Sequence, residues 1–286
     1  MKKTTNKVVL IGAGAVGTSF LYSAINQGIA QEFGIIDINK EGALGNELDL
    51  EDAFPTLRKS VNSVKAGDYT LVSDADVLVI TAGRPQKPGE TRINMVKDNA
   101  IIMKKIAQEV KANGFNGVTI IASNPVDIMT TVYQEVTGFE ATKVISSGTS
   151  LDTSRLLIEI SKRLNVNSQS IQAYVLGEHG DSSVSTFAHA KIGGIDAAEF
   201  FAKAGITEAK QAEIHEIVWK KAYEIINRKR ATFYGIGASL ANITRAILED
   251  ENVIIAVGAK LTGQYGLKDI YFGTPCVINA NGIANI

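Results

Sequence analysis

The chain has 286 residues, 45% hydrophobic and 21% charged, and its 29 basic and 30 acidic residues leave a net charge of −1. That is enough chain for two packed regions, and the charge balance excludes any broad attraction for nucleic acid or a membrane surface. Cys276 is the single cysteine, so no internal disulfide is possible; no apolar run has membrane-spanning length, and MKKTTNK leads into a strand rather than an export signal, which together predict a cytoplasmic protein.

VVLIGAGAVG, residues 8–17, predicts a short buried strand that turns into a helix over 15–28. Gly12 permits a tight turn, Gly14 lets the backbone approach a pyrophosphate, and Gly17 lets helix and strand pack closely. The helix N-terminus then offers free N–H groups to phosphates. Val16 belongs to the same cofactor-binding fingerprint, with a side chain expected to pack. A second strand over 33–38 carries Asp37 near its end, 20 residues past Gly17. An acid there accepts from an adenosine ribose diol and repels a 2′-phosphate, which favours NAD over NADP; its other reading is a strand-end cap.

Apolar strands and amphipathic helices go on alternating: a helix from about 40 to 53 that Pro55 ends, an edge strand at 60–65 and a central strand at 76–81. A polar loop over 83–91 precedes a long helix over 92–112, a strand at 118–123, a helix opened by Asn124-Pro125, and a strand at 143–147. The pattern predicts an α/β fold, a doubly wound Rossmann-type parallel sheet. Past Gly148 the regime changes to a mixed α+β substrate domain. Its expected parts are a helix over 152–164, a strand over 170–176 delivering GEHGDS, and a turn at Gly193-Gly194. A helix over 208–228 follows, packed through Ile214, Ile217, Val218, Ala222, Ile225 and Ile226, then a helix over 234–248 and strands near 253–260 and 269–273. The expected division is 1–147 for the dinucleotide and 148–286 for substrate and catalysis.

His179, one of three histidines, stands between glycines at a strand end, where its near-neutral titration suits acid–base work. One cysteine and scattered histidines make no usual zinc site, so no metal is expected. Asp152 and Arg155 lie three apart and share a helix face: a surface ion pair, or an acid orienting a histidine beside an arginine that grips a carboxylate. RPQKPGETR, 84–92, is either a solvated charge run or a shaped loop that brings Gln86 and Arg92 toward a substrate.

GAGAVG, ITAGRPQKPGETR, SNPVDI, SGTSLDTSR, GEHGDS and ATFYGI stand in the order found in the lactate/malate dehydrogenases, and nearly the whole chain resembles that family, above all its lactate-specific members from lactic-acid fermenters. The resemblance implies that His179 is the acid/base exchanging a proton with the pyruvate or L-lactate oxygen while NADH or NAD exchanges the hydride. It makes Asp152 the partner of the other ring nitrogen, Arg155 the carboxylate anchor, and Arg92 the group that polarises the carbonyl. It places Asn124 in the nicotinamide and substrate region, Thr232 and Ile236 along the pocket, and Gly12, Gly14, Gly17 and Asp37 on the dinucleotide. Gln86 stands where malate-specific members carry arginine, leaving a second carboxylate buried without a partner. Lactate is therefore expected over malate, with a dehydrogenase of larger 2-oxo acids, 2-hydroxyisocaproate type, or a catalytically impaired NAD-binding homologue as alternatives.

Leu157 and Gln172 replace the arginine and histidine with which relatives bind fructose 1,6-bisphosphate, so that activation is expected to be absent. Arg230 takes the place of a glycine, at a cost if the backbone there needs positive φ. SVSTFAHA follows GEHGDS where relatives carry proline and tryptophan, with Phe187 a partial filler. Relatives also continue past Asn281-Gly282-Ile283 with a strand and a helix, whose absence here is expected to expose apolar surface and weaken the closed state. Resemblance further implies a homo-oligomer, dimer or tetramer.

Overall fold

The computed structural model describes residues 5–84 and 92–286. The first half alternates as expected: β1 (Lys7–Ile11), α1 (Ala15–Gln27), β2 (Glu32–Ile36), α2 (Lys40–Glu51), β3 (Ser63–Ala66), β4 (Val77–Ile80), α3 (Arg92–Ala112), β5 (Val118–Ile121), α4 (Val126–Thr137) and β6 (Val144–Ser146). These strands are parallel and lie in the order β3-β2-β1-β4-β5-β6. Side chains alternate between two cores because a strand turns successive residues to opposite faces. Val8, Leu10, Val77 and Val79 join one apolar cluster, which takes in α1; Val9, Ile11, Leu78 and Ile80 join the other, which takes in α3 and α4. Both faces are covered, which is why these strands read as continuous apolar runs.

The second half comprises α5 (Ser150–Leu164), β7 (Ile171–Gln172), β8 (Val175–Leu176), β9 (Val184–Ser185), β10 (Lys191–Ile192), β11 (Ile195–Asp196), α6 (Ala198–Lys203), α7 (Glu208–Lys229), α8 (Tyr234–Leu248), β12 (Val253–Thr262), β13 (Lys268–Asn279) and β14 (Gly282–Asn285). Three expectations change here. The strand expected over 170–176 is two pieces, β7 pairing with β10 and β8 with β9. β12 and β13, with β14, do not close a separate sheet but extend the first one antiparallel through the Gly258–Ser146 register, giving nine strands among the described residues. The apolar stripe of α7 is only partly packed. Ile214 and Val218 are buried against α5 and α6, whereas Ile217 and Ile226 are 41% and 42% exposed, because the helix meets its neighbours along a narrower seam than its composition allows. Among the described residues no helix is long and apolar enough to cross a membrane.

Arg230 ends α7 in the left-handed region, φ 71°, with its N–H donating to the Ile226 carbonyl at 2.7 Å. A side chain there meets the steric penalty that glycine avoids. Arg230→Gly should therefore stabilise the fold by about 1 kcal/mol and raise Tm by roughly 2 °C. A thermal melt that stays level or falls counts against this strain.

Candidate active site

The glycine turn is built as its spacing predicts. Gly12 has φ 100°, and a Cβ there would lie 2.5 Å from the Ala82 nitrogen. A Cβ on Gly17 would sit 2.1 Å from the Gly12 carbonyl oxygen, so helix and strand touch backbone to backbone. Gly14 is the opposite case: nothing lies within 4 Å of its Cβ position, and it caps α1, whose first turn carries no acid. That is open backbone at a helix N-terminus, shaped for an anionic group. The Asp37 carboxylate leans onto the turn, one oxygen accepting from the Ala13 N–H at 2.6 Å and the other from the Asn39 N–H at 2.8 Å. It is thus both the strand-end cap and an oriented acceptor beside the turn. Val16 is half-buried and packs on the core. The residues present fit a dinucleotide, with Gly14 left open for the diphosphate and Asp37 for a ribose diol.

The tips of β1, β4 and β5 are tied together next to this turn. The Thr81 hydroxyl donates to the Gly12 carbonyl at 2.6 Å and the Ser123 hydroxyl to the Ala82 carbonyl at 2.5 Å. Asn124 follows, exposed. On the far side, β6 leads through Gly148 into α5, whose first two turns carry Asp152 and Arg155 inward, each 5% exposed. β8 is followed by Gly177, φ 108°, which turns the chain to deliver His179.

His179 Nδ1 lies 2.6 Å from Asp152 Oδ2, and Arg155 Nη1 donates to Asp152 Oδ1 at 3.0 Å. One carboxylate therefore fixes both the imidazole and the guanidinium. Burial pushes the Asp152 carboxyl up, but the His179 hydrogen bond and charge, then Arg155, hold it below the ordinary carboxylate value. Burial pulls His179 down, and Asp152, helped by Asp127 and opposed by Arg155, outweighs it, so the ring holds its proton above the ordinary histidine value. With Nδ1 engaged, Nε2 is the nitrogen free to exchange a proton with a ligand.

Asp127, on the first turn of α4, is a residue that sequence reasoning missed. Burial raises its carboxyl to about 6, against the Ser146 hydrogen bond of 3.1 Å and the His179 charge and backbone amide that favour the anion. Its signal in the sequence, an acid three residues after Asn124, also reads as an ordinary helix-start acid. His189 and His215 take no part in this cluster; His215 is 2.8 Å from the Ser185 hydroxyl.

A cleft of about 1040 Å³ between α5, α7, α8 and the start of β12 is lined by Arg155, Thr232 and Ile236, along with Leu157 and Gln172. Arg155, Thr232 and Ile236 thus share one cavity, whereas His179, Asp152 and Asn124 are not among its lining residues and His179 is linked to Arg155 only through Asp152. Gln86 lies outside the described residues; Arg92 opens α3, with a side chain that is likewise not among those described. Among the described residues no cluster of three or more histidines, cysteines, aspartates or glutamates is placed to hold a metal.

Comparison with known proteins agrees with this fold. Residues 6–146 match the family model described as lactate/malate dehydrogenase, NAD binding domain, and residues 149–286 the one described as lactate/malate dehydrogenase, alpha/beta C-terminal domain. The L-lactate dehydrogenase of Mycoplasma capricolum is 56% identical over 282 residues, covering 99% of this chain and 89% of that one. The L-lactate dehydrogenase of Limosilactobacillus fermentum is 49% identical over 286 residues, 100% of this chain and 90% of its own. Among solved structures, the ligand-bound minor L-lactate dehydrogenase of Enterococcus mundtii superimposes with a TM-score of 0.96 at 44% identity, covering 99% of this chain and 90% of that chain.

Proposed function

The chain belongs to the lactate/malate dehydrogenase family, and from that premise we propose that it interconverts pyruvate and L-lactate using NADH and NAD. One observation carries the reading: His179 and Arg155 are both held by Asp152, at 2.6 and 3.0 Å, so a proton donor and a carboxylate anchor share one support. Gly12, Gly14, Gly17 and Asp37 hold the dinucleotide, with Val16 packing beneath it. Once bound, the nicotinamide supplies or accepts the hydride. Arg155 turns its remaining N–H groups to the substrate carboxylate, a two-bond grip that sets the distance of the keto carbon from His179. Nε2 of the imidazolium gives its proton to the keto oxygen in pyruvate reduction and takes the hydroxyl proton of lactate in the reverse direction. Asp152 stabilises the charged ring and fixes its orientation. Asn124 meets the reacting end from the β5 tip, Thr232 and Ile236 wall the cavity, and Arg92 polarises the carbonyl. Gln86 leaves the far end of the pocket uncharged, which favours pyruvate over oxaloacetate. In this reading residues 1–147 serve the dinucleotide and residues 148–286 the substrate.

Asp127 supplies a second negative charge to the imidazolium. Asp127→Asn should move the decline of pyruvate reduction with rising pH to lower pH, by less than Asp152→Asn does, because only Asp152 bonds the ring. Equal shifts, or none for Asp127→Asn, would remove it from the site.

The function is tested by NADH oxidation with pyruvate, oxaloacetate and 2-oxoisocaproate in parallel. Turnover is expected to be fastest with pyruvate. Preference for the larger acid assigns the 2-hydroxyisocaproate alternative, and cofactor binding without turnover on any of the three overturns the enzyme reading. With Leu157 and Gln172 on the cleft wall, fructose 1,6-bisphosphate should leave the pyruvate KM unchanged; a large drop would prove the opposite. The exposed Leu44 and Leu48 on α2 and Ile158 on α5 support association of copies into a dimer or tetramer, to be read as mass in solution. The lone Cys276, buried and free, is in keeping with a cytoplasmic setting.

A further inference from the structure

Asn99 lies on α3 with 3% of its surface exposed, and all three hydrogen bonds of its side chain go to backbone. Its Oδ1 accepts from the Arg84 N–H at 2.9 Å, while Nδ2 donates to the Arg84 carbonyl at 3.2 Å and to the Asn124 carbonyl at 2.9 Å. The neighbouring Asp98 takes the Arg84 guanidinium, at 2.8 Å from Nε and 2.7 Å from Nη2. Two successive residues of α3 thus grip one residue past the end of β4.

The place of this amide in the sheet explains what it does. The ladder between β4 and β5 ends at Ile80 and Ile121, with a last backbone bond from the Ala122 N–H to the Ile80 carbonyl at 2.9 Å. Beyond it the two strand tips are linked by the Ser123 hydroxyl and then by Asn99, whose planar amide stands in for the next rung. It presents one acceptor and two donors, the set that a peptide N–H flanked by two carbonyls requires. A carboxylate of the same shape would turn an acceptor toward two carbonyl oxygens. An apolar side chain would take away all three of these bonds to the backbone.

We propose that Asn99 is a positioning residue for Asn124: by holding the Asn124 carbonyl from behind, it sets the direction in which the Asn124 side chain meets the nicotinamide and the substrate. The inference rests on the dehydrogenase reading above, since Asn99 itself touches neither ligand. It works through backbone, so its loss tilts the Asn124 side chain without removing any group from the site. The turn that holds the diphosphate is supported separately, by Thr81 on the Gly12 carbonyl. Misplacement at Asn124 therefore acts on the reacting end and spares the adenosine end.

The test compares Asn99→Asp and Asn99→Ser with the parent chain in NADH oxidation with pyruvate, together with ADP-ribose as a competitor of NADH and NADH deuterated at the transferred position. Asn99→Asp should lower kcat by about 10²-fold, leave ADP-ribose affinity unchanged, and raise the isotope effect on kcat as hydride transfer becomes limiting. Asn99→Ser, which keeps one hydroxyl contact, should fall between the two. A folded variant with parental kcat and isotope effect overturns the proposal. So does a loss of ADP-ribose affinity in step with kcat, or failure of both variants to fold, since either makes the amide structural only. A parent chain that oxidises NADH with none of the 2-oxo acids fails on the dehydrogenase reading itself, before any variant is compared, and the Asn99 proposal falls with it.

Discussion

His179→Asn should lower kcat/KM for pyruvate reduction by about 10²–10⁴-fold with little change in NADH binding. The variant keeps a polar side chain of modest size but has no group that can deliver a proton at neutral pH, so the developing negative charge on the keto oxygen goes unneutralised. In the proposed site NADH binding falls to Gly14 and Asp37, beyond the ends of β1 and β2, and is separate from this step. The pH dependence gives an independent check. The ring's proton affinity is raised above the ordinary histidine value, chiefly by the Asp152 hydrogen bond working against burial. Pyruvate reduction, which needs the imidazolium, should hold its rate at low pH and lose it as pH rises through that raised value. Asp152→Asn removes the stabilising charge, so the decline should move to lower pH and the rate at neutral pH should fall. An unshifted profile in Asp152→Asn would mean that the 2.6 Å contact does not control the ring.

Arg155→Lys should cost about 10²–10⁴-fold in kcat/KM, from the loss of charge-assisted bonds of roughly 1.5–3 kcal/mol each. The guanidinium is buried and already gives one N–H to Asp152 at 3.0 Å; in the proposed site the others meet the substrate carboxylate. An ammonium is a point charge that cannot keep Asp152 and grip two carboxylate oxygens in the same plane. Because the anchor acts on bound pyruvate as well as on the transition state, the loss should fall mainly on KM, with a smaller drop in kcat from poorer alignment. Steady-state kinetics decide it. A variant with parental KM would place the carboxylate elsewhere.

Much of the first half was legible because its signals are local. Apolar runs of four or five residues flanked by glycine, asparagine and proline mark strands covered on both faces, and the observed β1, β4 and β5 lie within the expected ranges apart from Lys7, with α3 over the expected range of residues. The three glycines carry their roles in their spacing, and the structure adds what each Cβ would strike. The short strands β9 to β11, helix α6 and strand β14 gave no clear periodicity. Their lengths of two to six residues are too short for one.

The sequence by itself determined which groups exist for chemistry: a histidine between glycines, an aspartate and an arginine three apart on one helix, an acid 20 residues beyond a glycine turn, and glutamine rather than arginine at position 86. Helical spacing put Asp152 and Arg155 on one face, yet a solvated ion pair and a buried one have the same spacing. Only the tertiary structure decided between them, by burying both residues and bringing His179 from 27 positions away onto the second carboxylate oxygen. Only it could show that β12 to β14 extend the first sheet, that Arg230 takes a positive φ, that Asp127 lies beside His179, and that Asn99 bonds the Asn124 carbonyl. Those outcomes depend on backbone and side-chain partners distant in the chain, such as Ser146 for Asp127 and both Arg84 and Asn124 for Asn99. Helical and strand periodicity reports the environment along one element, whereas a hydrogen bond between elements is set by where the packed cores place their ends.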